Sequence, residues 1–168
     1  PATPSASPGS KPTAAPTAVP TAAPTATPVP TTAPTTTPEP QATPNTSTTG
    51  AVWFEPYSRT VSYGSGFTAE IHCNSGSQKL AAYGIDVTFN QSIIAVNTSI
   101  GSSGVTAGAD GFIAAVNASD PGIIKISGFD TAGKGPGTNL HVVTINFNAV
   151  GRGTSVLGMT VRNLTDPG

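Results

Sequence analysis

Thirteen of the chain's 17 prolines lie before Asn45, and this asymmetry decides where a compact fold can begin. Residues 1–49 form a Pro/Thr/Ala repeat, with PTAAPTAVPTAAPTATPVPTTAPTTTPEP at its centre. The repeat carries two charges, Lys11 and Glu39, and no aromatic side chain. Such a segment cannot bury enough apolar surface to offset the entropy of ordering it. Proline at about every fourth position favours extended polyproline II backbone, which has no internal hydrogen bonds. Residues 1–49 are therefore expected to be a disordered Pro/Thr-rich linker, and residues 50–168 a single domain. The sequence opens on Pro1, with neither Met nor a signal peptide, and reads as part of a longer protein cut inside the linker.

The remaining roughly 120 residues suffice for one hydrophobic core. Only 9% of the chain is charged and its net charge is -1, which leaves no electrostatic footprint for nucleic acid or an anionic membrane. No run approaches the roughly 20 apolar residues of a membrane helix, so no membrane insertion is expected. Cys73 is the single cysteine, so no internal disulfide framework exists. It shares a strand face with Phe67, Ala69 and Ile71 and reads as a buried, unreactive thiol.

From Ala51 to Arg162 the pattern is strand, turn, strand. Val, Ile, Thr and Phe dominate the runs, with Gly, Asn and Ser between them. Strands are expected at Val52–Glu55, Thr60–Tyr63, Phe67–Asn74, Leu80–Phe89, Ile94–Thr98, Phe112–Asn117, Ile123–Phe129, Leu140–Ala149 and Ser155–Arg162. Short strands at this spacing indicate a β-sandwich or jelly roll. Tyr83, Ile85, Val87 and Phe89 alternate with Ala82, Gly84, Asp86 and Thr88, and Val143, Ile145 and Phe147 alternate with Thr144, Asn146 and Asn148. The apolar members belong to the core; the small and polar members form an outer surface open to contact.

The side chains of catalysis are sparse. The carboxylates are Glu39, Glu55, Glu70, Asp86, Asp110, Asp120, Asp130 and Asp166, and no spacing singles out a glycosidase pair. His72 and His141 read as partly exposed sheet residues. No H-E-x-x-H, P-loop, G-x-S-x-G or paired C-x-x-C motif occurs, so no enzyme activity and no cofactor are expected. Asp110, Asp120 and Asp130 fall at turns and lack the order of a calcium-binding loop, so no metal is expected on this chain.

Ala81–Val96, AAYGIDVTFNQSIIAV, resembles the third strand and following turn of cohesins. Gly122–Phe129, then Asp130-Thr131-Ala132-Gly133-Lys134-Gly135, then Leu140–Val150, resemble that family's "G-x-I-x-I-x-x-x-D-x-x-G-x-G … L-x-x-I-x-F-x-V" series. Val61–Ile71 is similar to its opening. In order, these matches cover nearly the whole domain, and a Pro/Thr arm is typical of cohesin-bearing proteins. The resemblance implies a nine-stranded β-sandwich with jelly-roll topology, secreted or cell-surface attached, in a cellulosome-type, polysaccharide-degrading assembly. It implies binding of a dockerin-bearing protein, with calcium on the dockerin side, through the outer face of the sheet that contains the family's strands 8, 3, 6 and 5. That face would present Ala82, Gly84, Asp86 and Thr88 from strand 3, Lys125 and Ser127 from strand 6, Asp130 and Thr131 at its end, and Thr144 and Asn146 from strand 8.

Two departures accompany the resemblance. Phe89-Asn90-Gln91 replaces the usual Tyr-Asp-Pro turn. Ala82 and Gly84 stand where the well-known cellulosomal group places Asn and Asp. The implied partner is thus a dockerin of a different type, or another ligand. Two rival readings stay open. A carbohydrate-binding module would use Trp53, Tyr57 or Tyr63 for stacking on a polysaccharide, although Trp53 reads more readily as a core plug. A structural spacer domain would have no specific ligand.

Overall fold

The computed structural model describes Ala2, Gly9 and residues 45–168. Apart from Ala2, Gly9 and Asn45–Thr49, the expected linker lies outside the described residues. Asn45–Thr49 themselves run as turns and bends tied to the domain. The Asn74 side-chain amide donates to the Thr46 carbonyl at 2.9 Å, and the Gly50 N–H donates to the Asn74 carbonyl at 2.7 Å.

Nine strands and no helix are found among the described residues. They are β1 Val52–Glu55, β2 Gly66–Cys73, β3 Leu80–Thr88, β4 Ile94–Val96, β5 Val105–Ala107, β6 Ala115–Asn117, β7 Ile123–Lys134, β8 Leu140–Ala149 and β9 Gly158–Thr165. Two antiparallel sheets form a jelly-roll sandwich. One has the order β1-β2-β8-β4, with β5 also paired to β8; the other has the order β6-β7-β3-β9. The alternation expected for β3 and β8 is present: Tyr83, Ile85, Val87, Ile145 and Phe147 are all buried between the sheets. Full burial of each such side chain contributes about 1.5–3 kcal/mol.

Tyr83 sits at the centre. Its hydroxyl donates to the Phe112 carbonyl and its ring tilts against Phe112 with centroids 5.3 Å apart. Burial holds the phenol pKa well above its ordinary value. Gly128 makes this possible, because a Cβ there would collide with the Tyr83 ring and the Phe112 carbonyl. Cys73 is buried as expected, and burial, reinforced by Asp110, pushes its thiol pKa up to about 11.

Several strands differ from expectation. Thr60–Tyr63 forms no strand; only Val61 is partly covered there, too little apolar surface to hold a ladder. Val105–Ala107 pairs with β8 although the preceding Gly101-Ser102-Ser103-Gly104 reads as loop. Phe112–Asn117 shortens to β6, and Ser155–Arg162 shifts to β9. The loop expected at Asp130-Thr131, at the end of the strand, is instead part of a large bulge inside β7. Ala82 pairs with Phe129 and Leu80 with Lys134, so the residues between them loop out and the strand resumes. Asp130 Oδ1 caps the bulge, accepting the N–H of Ala132 at 2.8 Å and of Gly133 at 3.2 Å. Gly133, at φ 67°, closes it.

Candidate functional site

The outer face of the β6-β7-β3-β9 sheet is built by pairing in rows. Ala115 of β6, Ser127 of β7, Gly84 of β3 and Asn163 of β9 form one row. Asn117, Lys125, Asp86 and Thr160 form the next, and Phe129, Ala82 and Thr165 lie on the other side. Six of the ten expected residues, Ala82, Gly84, Asp86, Thr88, Lys125 and Ser127, therefore share this face. Asp130 and Thr131 lie in the bulge at its end, where the Asp130 carboxylate is engaged with backbone.

Thr144 and Asn146 are corrected by the topology. Their strand, β8, pairs with β2, β4 and β5 in the other sheet, so they face away on the opposite side of the sandwich. There the His141 ring bonds Thr144 Oγ1 at 2.9 Å, and the Asn146 amide donates to the Gly104 carbonyl at 3.1 Å. Strand alternation identifies which side chains point outward but not which sheet a strand joins. The position beside β3 belongs to β9, which brings Thr160, Arg162 and Asn163 to the face. A register shift between Gly84 and Ile85 leaves Arg162 as the extra residue of β9. Its guanidinium donates twice to Asp86 Oδ2, from Nε at 3.0 Å and Nη2 at 2.5 Å. That hydrogen bond and the carboxylate charge raise the Arg162 pKa further. Lys125 Nζ lies 2.7 Å from Asp120 Oδ2, and its pKa is raised chiefly by the same bond. Both pairs are solvated, so they orient charge on the face and add little to stability.

The main side chain missing from the sequence reading is Phe129, which is 65% exposed. In Gly122–Phe129 the alternation that buries Ile124 and Ile126 turns Lys125, Ser127 and Phe129 outward, so the signal was present. It was obscured because an aromatic residue next to apolar neighbours reads as core. Phe129 stands beside Ala82 and near Gly84, whose missing Cβ leaves room for the Asn163 carboxamide. The result is an exposed aromatic ring at one end of a face of small residues, with the Asp86–Arg162 and Lys125–Asp120 pairs in the row beyond Gly84 and Ser127.

The rival aromatic residues are placed differently. Trp53 is 7% exposed, but it is not a plug between the sheets: Val52 and Phe54 pack on the core, and Trp53 stacks on His72 with ring centroids 6.0 Å apart. Tyr57 is partly buried, and Tyr63 is exposed with the Arg152 guanidinium 5.9 Å from its ring centre.

No protein-family model and no curated protein matches the chain. Solved structures do. The solution structure of CaCohA2 from Clostridium acetobutylicum superposes with a TM-score of 0.50 at 18% identity, covering 63% of this chain and 76% of that one. CaCohA2 in its crystalline complex with a CaDoc0917 variant gives 0.50 and 18%, with 62% and 77% covered. The sixth cohesin of scaffoldin B from Acetivibrio cellulolyticus, solved with a Cel5 dockerin variant, gives 0.50 and 13%, with 64% and 80% covered. The domain is an antiparallel jelly-roll sandwich, and the fold is that of cohesin modules.

Proposed function

We propose that residues 45–168 form a non-catalytic interaction module that binds a calcium-loaded dockerin through the outer face of the β6-β7-β3-β9 sheet. The observation that carries this reading is Phe129, an exposed aromatic side chain in line with the small residues Ala82, Gly84 and Ser127, with the charged row of Lys125 and Asp86 beyond them. Aromatic anchors surrounded by small residues and a polar rim are the usual anatomy of binding hot spots. A helix can lie close to such a surface, with Phe129 supplying apolar area and Asp86, Arg162 and Lys125 setting register through charge. Thr88, Asp130 and Thr131 extend the contact along the strand ends. The cohesin fold supports a dockerin as the occupant, and the parent protein would act in a secreted, polysaccharide-degrading assembly.

The test is a binding panel: the full chain against purified dockerins of several types, with calcium and again with chelator. A dockerin needs its metal to fold. Saturable binding that chelator abolishes, and that Phe129→Ala weakens, supports the reading. Binding to none of the panel, or binding unaffected by Phe129→Ala, overturns it.

A further inference from the structure

The geometry points to a second site on the opposite sheet: a divalent transition-metal site formed by Glu70, His72 and His141. The chain separates His141 from Glu70 and His72 by about 70 positions, and the β2–β8 register brings them together by pairing His72 with His141. A register shift beside Ile71 and His72 is essential. It leaves Val142 and Val143 both buried, so that His141 turns outward beside His72 and Glu70.

The donor atoms converge. All three lie within 4.8 Å of one another. Glu70 Oε2 is 3.2 Å from His72 Nε2 and 3.9 Å from His141 Nε2. Tetrahedral zinc with bonds of about 2.0–2.1 Å holds its ligands about 3.4 Å apart, so the set is completed when the His141 ring turns out of its stack on His72 to bring both Nε2 atoms toward one point. Two imidazole nitrogens and one carboxylate suit zinc, nickel or copper; calcium and magnesium prefer oxygen alone. Three protein ligands leave a further position open to water or to a partner's side chain.

The surroundings favour a cation. His72 is held between the Trp53 ring and the His141 ring, the latter stacked at 4.9 Å with a 10° tilt. His72 Nδ1 lies 2.7 Å from Asn139 Oδ1, an acceptor that fixes the proton on Nδ1. Nε2, 3.2 Å from Glu70 Oε2, is then the ring nitrogen left to ligate, and an ion bound there takes the place of the His72–Glu70 hydrogen bond. Ligation by His141 Nε2 selects its other tautomer, at the expense only of a long 3.4 Å contact from the Ala109 N–H and the bond to Thr144. The Glu55 carboxylate lies 3.8 Å from His72 Nδ1, and Asp110 accepts the His141 backbone N–H, adding negative charge around the cluster. Glu70 is the most exposed of the three side chains, so an ion enters from its side.

The experiment uses the tag-free full chain titrated with zinc, nickel, magnesium and calcium chlorides by calorimetry and by proton NMR. The chain has two histidines, so both ring signals are assignable. One equivalent of zinc or nickel is expected to bind and to shift both histidine resonances together, while magnesium and calcium leave them unmoved. His141→Ala and Glu70→Gln, each checked for retained fold by circular dichroism, should weaken zinc binding about 10- to 100-fold. Absence of saturable zinc or nickel binding overturns the site. So does zinc binding that shifts one histidine only, or whose strength neither substitution changes.

Discussion

Replacing Cys73 with Ala should flatten the alkaline limb of the domain's stability. The thiol's pKa rises from 9.0 to about 11 on folding, chiefly through burial and then through Asp110. The folded state therefore holds its proton more tightly than the unfolded chain. Stability from this source is fully present below pH 9 and is lost as pH climbs toward 11. The integrated loss at pH 10, relative to pH 7, is on the order of 1 kcal/mol. Tyr83, whose pKa is also raised by burial, contributes a smaller part at the same pH because its unfolded value is 10.0. Most of the loss between pH 7 and pH 10 from these two groups should thus disappear in Cys73→Ala. The variant also begins about 1 kcal/mol or more less stable, because it leaves a small void beside Ile71 and Leu140. Urea unfolding followed by Trp53 fluorescence, the chain's one tryptophan, measures both curves. Two stability–pH curves that run parallel, offset but with equal alkaline slopes, would refute the assignment of the slope to the buried thiol.

Gly128→Ala forces a methyl group into the Tyr83 ring and should cost about 1–3 kcal/mol, read as a lower urea midpoint with an unchanged slope. Asp130→Ala leaves two bulge amides without their carboxylate acceptor and should cost about 1 kcal/mol, with amide exchange accelerating at Ala132 and Gly133. Phe129 exposes about two-thirds of roughly 200 Å². Covering that area contributes at most about 3 kcal/mol, so Phe129→Ala should weaken dockerin binding by up to about 100-fold while changing folding stability far less.

Much of the sandwich was legible because period-2 alternation is strong where one face of a strand is buried. Tyr83 to Val87 and Val143 to Phe147 state their facing directly, and family-like motifs ordered the strands. Register and sheet membership were not legible. Thr144 and Asn146 point outward as expected, yet their strand belongs to the far sheet, since nothing local distinguishes a hairpin within one sheet from a crossing between two. Bulges caused the other differences. Asp130 to Gly133 has the chemistry of a turn, and only the continuation of β3 to Leu80 shows that β7 resumes beyond it. The His72–His141 approach depends on a shift of register that no window of sequence contains.

The Asn74 clamp has a mechanical consequence. The chain arriving from residue 44 is fastened first by Thr46 and Gly50 on Asn74, then by four residue pairs between β1 and β2. Tension arriving along the preceding segment enters the domain at this short edge strand of the β1-β2-β8-β4 sheet, whereas the candidate contact surface lies on the other sheet. Detaching β1 therefore breaks its pairs with β2 alone and leaves every pairing of the β6-β7-β3-β9 sheet in place.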